Sequence, residues 1–119
     1  METNEYQSET LDQEDAAAIF ASLGAPVRLS ILRALVRAGA PGVSVGVLQQ
    51  RLAMPGSTLS HHLRALIQAG AIEQERRGRS LICRARYTRL HALAEFLLTE
   101  CCADDGRASA DQVPREVIR

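Results

Sequence analysis

With 119 residues the chain has the length of one domain, and a hydrophobic content of 46% is ordinary for a globular fold. Two Phe, two Tyr and no Trp leave the core to Leu, Ile, Val and Ala, which favours packed helices over an aromatic-rich sandwich. No apolar run approaches the roughly 20 residues of a membrane span, and the acidic start METNEYQSET is unlike a signal peptide, so a cytoplasmic protein without a membrane partner is expected.

The formal net charge of zero conceals a segregation. Glu2, Glu5, Glu9, Asp12, Glu14 and Asp15 crowd the first fifteen residues, where no base occurs. Residues 26–89 then carry eleven arginines against only Glu73 and Glu75, and every cation of the chain is Arg, the side chain suited to bidentate phosphate and guanine contacts. Three cysteines, Cys83, Cys101 and Cys102, are too few for a disulfide scaffold and point to free thiols in a reducing compartment.

Residues 1–10 form a polar, acidic segment read as a disordered tail. From Leu11 to Leu23, Ala16, Ile19, Phe20 and Leu23 repeat at helical spacing before Gly24. Pro26 suits the first turn of a second helix, with Val27, Ile31, Leu32, Leu35 and Val36 as its buried stripe and Gly39 as its stop. Ser44 is placed to cap a short third helix through Leu52, with Val47, Leu48 and Leu52 inward, and Met54-Pro55-Gly56 forces a turn.

Ser57 is the candidate cap of a fourth helix through Ala69, whose apolar stripe is Leu59, Leu63, Leu66 and Ile67. Thr58, His61, Arg64, Ala65 and Gln68 fall together on its opposite, polar face. After Gly70, the segments Ile72–Arg76 and Leu81–Arg86 flank a tight RGRS turn and predict a two-stranded hairpin. Tyr87 to Cys102 predicts a last helix with Leu90, Leu93, Ala94, Leu97, Leu98 and Cys101 on one stripe, which suits either core packing or a dimer interface. The folded unit is thus residues 11–102, followed by a polar tail over 103–119.

The predicted architecture is mainly α, a winged helix-turn-helix of five helices and a two-stranded β-hairpin wing. A short helix, a glycine-containing turn and a second helix with a polar outer face is the geometry that carries side chains into a major groove of double-stranded DNA. Ser57, Thr58, Ser60, His61 and Arg64 are the candidate readers, and Arg76, Arg77 and Arg79 at the hairpin tip are candidates to neutralise phosphates. His62 points closer to the apolar side and is read either as a packing histidine or as a contact to the DNA backbone.

The ordered set LGAPVRLSILRAL, STLSHHLRALIQAGAI and ERRGRSLICRARY resembles the ArsR/SmtB family of metal-responsive repressors over roughly residues 15–102. The resemblance implies a homodimer paired through its first and last helices, bound to operator DNA until an inducer releases it, and no catalytic activity or cofactor. Family members place their sensors at different sites. A thiolate box on the third helix would put cysteines near Ser44 and Gly46, and a zinc site on the last helix would need an Asp-x-His pair; this sequence has neither, offering only His91.

What remains of the family's sensors is the vicinal pair Cys101 and Cys102, the expected metalloid ligands. Adjacent Cα atoms lie about 3.8 Å apart, below the usual disulfide range of about 4.4–6.8 Å, so chelation of a soft ion suits the pair better than a bridge. Trivalent arsenic exchanges hydroxyls for sulfurs. Inorganic arsenite or antimonite is best held by three thiolates, whereas an arsenical already bearing a carbon substituent has two exchangeable positions. Residues 103–119 supply no third cysteine, so the expected inducer is a trivalent organoarsenical such as methylarsenite.

Alternatives stand beside it. Cys83 alternates with Leu81 and Ala85 and reads as a small core residue, but as a third ligand it would restore an arsenite or antimonite site. Paired with one vicinal thiol it would make a redox or persulfide sensor. Cys101 to Arg107 also spells the C-x5-R spacing of a thiol enzyme's anion loop, but it follows a helix instead of opening one and sets Asp104 and Asp105 where the anion would sit.

Overall fold

The structure, a computed structural model, describes residues 10–105. The expected tails fall largely on residues 1–9 and 106–119, outside the described residues, while Ala103–Asp105 form one turn of 3-10 helix. Helix α1 spans Gln13–Ser22 and opens on Asp12, whose carboxylate accepts the Asp15 N–H at 2.8 Å. Helix α2 spans Pro26–Ala38 with its proline in the first turn, where a missing N–H costs nothing, and ends at Gly39.

Strand β1 (Val43–Ser44), helix α3 (Val45–Leu52), helix α4 (Gly56–Ala69), strands β2 (Ile72–Arg77) and β3 (Ser80–Ala85) and helix α5 (Tyr87–Leu98) follow. The sheet has three strands in the order β1-β3-β2, both pairings antiparallel, where the sequence predicts only the hairpin. Two residues, pairing Val43 with Cys83 and Ser44 with Ile82, are too short to carry an alternating pattern, so β1 is set by its partner strand. A Cβ on Gly42, at φ 76°, would stand 2.6 Å from the Cys83 carbonyl, which is why glycine leads the chain into this pairing. The hairpin turns through Gly78 at φ 62°, with no positive φ at Arg79, the pattern of a type II′ turn that matches strand twist.

The core gathers Ile19 of α1, Ile31 and Leu35 of α2, Leu48 of α3, Leu59 and Leu66 of α4, Ile72 and Cys83 of the sheet, and Leu93 of α5. Tyr87 ties the start of α5 to the end of α2, its hydroxyl donating to the Leu35 carbonyl at 3.2 Å. The apolar stripes are narrower than their spacing predicts. Val27 and Val36 of α2 and Val47 of α3 stand exposed, because α2 packs on α4 and β3 and buries only Ile31, Leu32 and Leu35.

Helix α5 departs furthest from its predicted form. It ends at Leu98, four residues before Cys102, and the chain continues through turns. Of its predicted stripe, Leu93 is buried and Leu90 half-buried, but Leu97 is 62% and Leu98 60% exposed. No element of the described chain covers that end. Among the described residues no single helix is long and apolar enough to cross a membrane.

Candidate nucleic-acid interface

Ser44 caps α3 as predicted, its hydroxyl accepting the Val47 N–H at 3.2 Å. Ser57 does not cap α4. Pro55 holds that position without a side-chain cap and the helix already begins at Gly56, because the extended backbone of Pro55 leads the chain into the helix two residues early. Ser57 and Thr58 therefore sit in the first turn. The first intrahelical bond runs from the Leu59 N–H to the Pro55 carbonyl, so the N–H groups of residues 56–58 have no partner within the helix.

On α4, Leu59, Leu63 and Leu66 are buried, while Ser57, Thr58, Ser60, His61, Arg64 and Gln68 are exposed on the other side. Two grooves run along the hairpin and share Val45 and Leu81. One, of about 280 Å³, lies between α4 and the hairpin and brings Ser60 and Arg64 opposite Gln74. The other, of about 360 Å³, sets Arg76 and Arg79 against Ser44 and Gly46 at the start of α3. The candidate readers Ser60 and Arg64 and the wing cations Arg76 and Arg79 are thus placed on adjoining surfaces.

Arg77 has another partner. It pairs with Glu75 at 3.0 Å, and Arg84 reaches the same Glu75 at 3.0 Å and Glu73 at 3.6 Å. The hydrogen bond from Arg84 and the charge of Arg77 hold the Glu75 carboxyl below its ordinary range. Arg84 also donates to the Ala40 carbonyl at 3.0 Å, bracing the wing against the α2–β1 loop. Both acids of the basic middle are consumed here, which leaves Arg76 and Arg79 at the tip without an ion pair among the described residues. The Arg77–Glu75 pair is exposed and screened by solvent, so Arg77 can exchange Glu75 for a phosphate at little cost.

His62 is half-buried, and its Nδ1 accepts a hydrogen bond from Arg28 Nε at 3.1 Å. Burial first, then the charges of Arg28 and His61, lower its pKa, so the ring is neutral at pH 7 with Nε2 carrying the proton. His61 meets it edge-on at 5.5 Å and remains exposed. Arg28 and Gln74 were not among the predicted site residues: Arg28 lies 34 positions from its partner, a separation that leaves no periodic signal.

At the far end, Cys101 and Cys102 lie in the turn after α5, both partly exposed, with Sγ atoms 3.5 Å apart. Cys102 takes a left-handed φ of 63°. Cys83 is fully buried in the central strand, its Sγ accepting from Gln74 Nε2 at 3.4 Å, and burial pushes its thiol up, the opposite of a reactive thiolate. Its expected place as a small core residue holds. His91 pairs with Glu95 at 3.3 Å, and among the described residues no three His, Cys, Asp or Glu side chains converge to hold a metal. Arg107 of the C-x5-R spacing lies outside the described residues, and Asp104 and Asp105 sit in the 3-10 turn.

A short helix, a tight turn, a polar-faced second helix and a basic hairpin make this a DNA-binding protein of the winged helix-turn-helix class. Residues 23–75 match the family described as a helix-turn-helix domain. The chain is 38% identical over 65 residues to the uncharacterized HTH-type transcriptional regulator MJ1325 of Methanocaldococcus jannaschii, covering 55% of this chain and 71% of that one. Among solved structures it is similar to an ArsR-like transcriptional regulator from Rhodococcus sp. RHA1, with 27% identity and a TM-score of 0.66 over 83% of this chain and 91% of that one. It is also similar to the homodimeric winged helix-turn-helix DNA-binding domain Mb0332 from Mycobacterium bovis, with 26% identity and a TM-score of 0.58 over 77% and 81% of the two chains. The chain belongs to the helix-turn-helix transcriptional regulators, and its fold is similar to that of an ArsR-like member.

Proposed function

We propose that the protein is a cytoplasmic, homodimeric repressor that leaves its operator when a trivalent arsenical, in particular an organoarsenical such as methylarsenite, binds Cys101 and Cys102. The observation that carries this reading is the pair of neighbouring sulfurs, 3.5 Å apart and partly exposed, at the end of a helix whose last apolar residues stand in solvent. Two adjacent thiols can grip one small soft ion together, and soft sulfur ligands select it over the hard carboxylates of Asp104 and Asp105 nearby. Burial of Cys83 favours a two-sulfur ligand set, which matches an arsenical with two exchangeable positions.

Exposed Phe96, Leu97 and Leu98 of α5, with Phe20 of α1, support pairing through these two helices, as does the homodimeric state of the Mb0332 domain. In the dimer Ser57, Thr58, Ser60, His61 and Arg64 read the major groove, His62 supports them from the helix flank, and Arg76, Arg77 and Arg79 contact phosphates. A ligand at the end of α5 then acts beside the dimer helices and can change the spacing of the two recognition helices.

Titration of the protein on DNA from upstream of its own coding sequence, with methylarsenite, arsenite, zinc and oxidant in parallel, tests this. Methylarsenite should release wild type, while Cys101→Ser and Cys102→Ser bind the DNA and ignore it. Release of either variant by methylarsenite removes the pair from the mechanism; release by oxidant alone makes it a redox switch.

A further inference from the structure

Three arginines of the basic middle that lie outside the interface described above share one surface. Arg33 and Arg37 stand one turn apart on the same face of α2, and Arg51 reaches the same space from the last turn of α3. Together with Ser30 they line an open cleft of about 650 Å³ between the two helices, whose lining includes no carboxylate. Val43 and Leu52 contribute apolar surface. Among the described residues none of the three arginines forms an ion pair or a side-chain hydrogen bond, in contrast to Arg77 and Arg84, which Glu73 and Glu75 neutralise.

From this we infer that the α2–α3 cleft binds a small phosphate-bearing molecule. Like charges at i and i+4 repel, so setting Arg33 over Arg37 and facing both with Arg51 is unfavourable until an anion enters. Guanidinium forks match phosphate oxygens two at a time, and the Ser30 hydroxyl adds a further donor. The volume lies within the roughly 300–1,000 Å³ of small-molecule sites, large enough for an organic body against Val43 and Leu52 as well as the anionic head. Phosphate oxygens also line DNA, but this cleft shares no residue with either groove beside the hairpin. The free small molecule is therefore the occupant assigned.

Inorganic pyrophosphate is the probe, added to the full-length chain and followed by calorimetry and by backbone amide shifts. One pyrophosphate per chain is expected, with shifts at Ser30, Arg37 and Arg51. Affinity should fall at least about tenfold in the R37Q/R51Q variant, whose exposed substitutions leave the melting curve in place. Its DNA affinity should remain that of wild type. Absence of pyrophosphate binding to wild type overturns the inference, as does binding that the variant retains. Loss of DNA affinity in the variant, with the salt slope reduced by about two, assigns the arginines to the DNA backbone instead and equally overturns it.

Discussion

The α4–wing region and the α5 end treat the same kind of sequence differently. Both helices carry leucines at helical spacing. In α4, Leu59, Leu63 and Leu66 vanish into the core, and the acids around the wing are paired with Arg77 and Arg84. In α5 only Ala92 and Leu93 are buried, while Phe96, Leu97 and Leu98 meet solvent next to two thiols. Periodicity states that a face is apolar; whether the chain itself covers it depends on what lies opposite. One end of the chain covers its own apolar face, and the other leaves its apolar residues exposed.

The sharpest way to break that comparison is to truncate a leucine at each end. Leu66→Ala should cost about 2–5 kcal/mol of unfolding free energy, because it opens a cavity at a site with no solvent exposure. Leu98→Ala, measured at a dilution where the chain is monomeric, should stay within about 0.5 kcal/mol. Equal losses in thermal or denaturant unfolding would mean that the protomer buries both helices alike.

Next in size is the reading face. Arg64→Ala should weaken operator binding by about 1–3 kcal/mol if it meets a base, and should lower the salt slope by about one if it meets a phosphate. The same change should leave the response to methylarsenite intact, which separates reader from sensor. Smaller again is the cap of α3: Ser44→Ala removes the acceptor for the Val47 N–H and should cost about 1 kcal/mol in stability.

The smallest effect is a titration. Since the folded pKa of His62 is lowered, the native state resists the proton that the unfolded chain accepts. Stability from this group is therefore whole above about pH 6.5 and declines as pH falls from there through the folded value. A proton-detected titration of the ring should show a midpoint below the ordinary histidine range. Arg28→Ala should raise that midpoint only part of the way, because burial is the larger cause. An unchanged midpoint would uncouple Arg28 from the recognition helix.

Local chemistry was legible in the chain itself. Pro26, Ser44 and the glycine of the RGRS turn each act on neighbours within a few positions, so two helix starts and the hairpin turn could be read directly. The candidate readers on α4 were legible for the same reason, since one helical stripe identifies the opposite face. The cap of α4 was not legible, because the polar side chain of Ser57 favours it over Pro55 only two residues earlier, and the backbone of Pro55 decides the start. Arg28 and Arg84 were silent, their partners lying on other elements.

By itself, then, the sequence determined the order of helices, the polar face of α4, the basic wing and the vicinal thiols, because periodicity, capping and composition act over a turn or two. Tertiary structure alone decided that β1 joins the sheet, that Arg28 holds His62, that Arg33, Arg37 and Arg51 share a cleft, and that α5 stops at Leu98 with its leucines uncovered. Each of these depends on contacts between residues distant in the chain, where burial, charge and hydrogen bonding are settled by which surfaces meet.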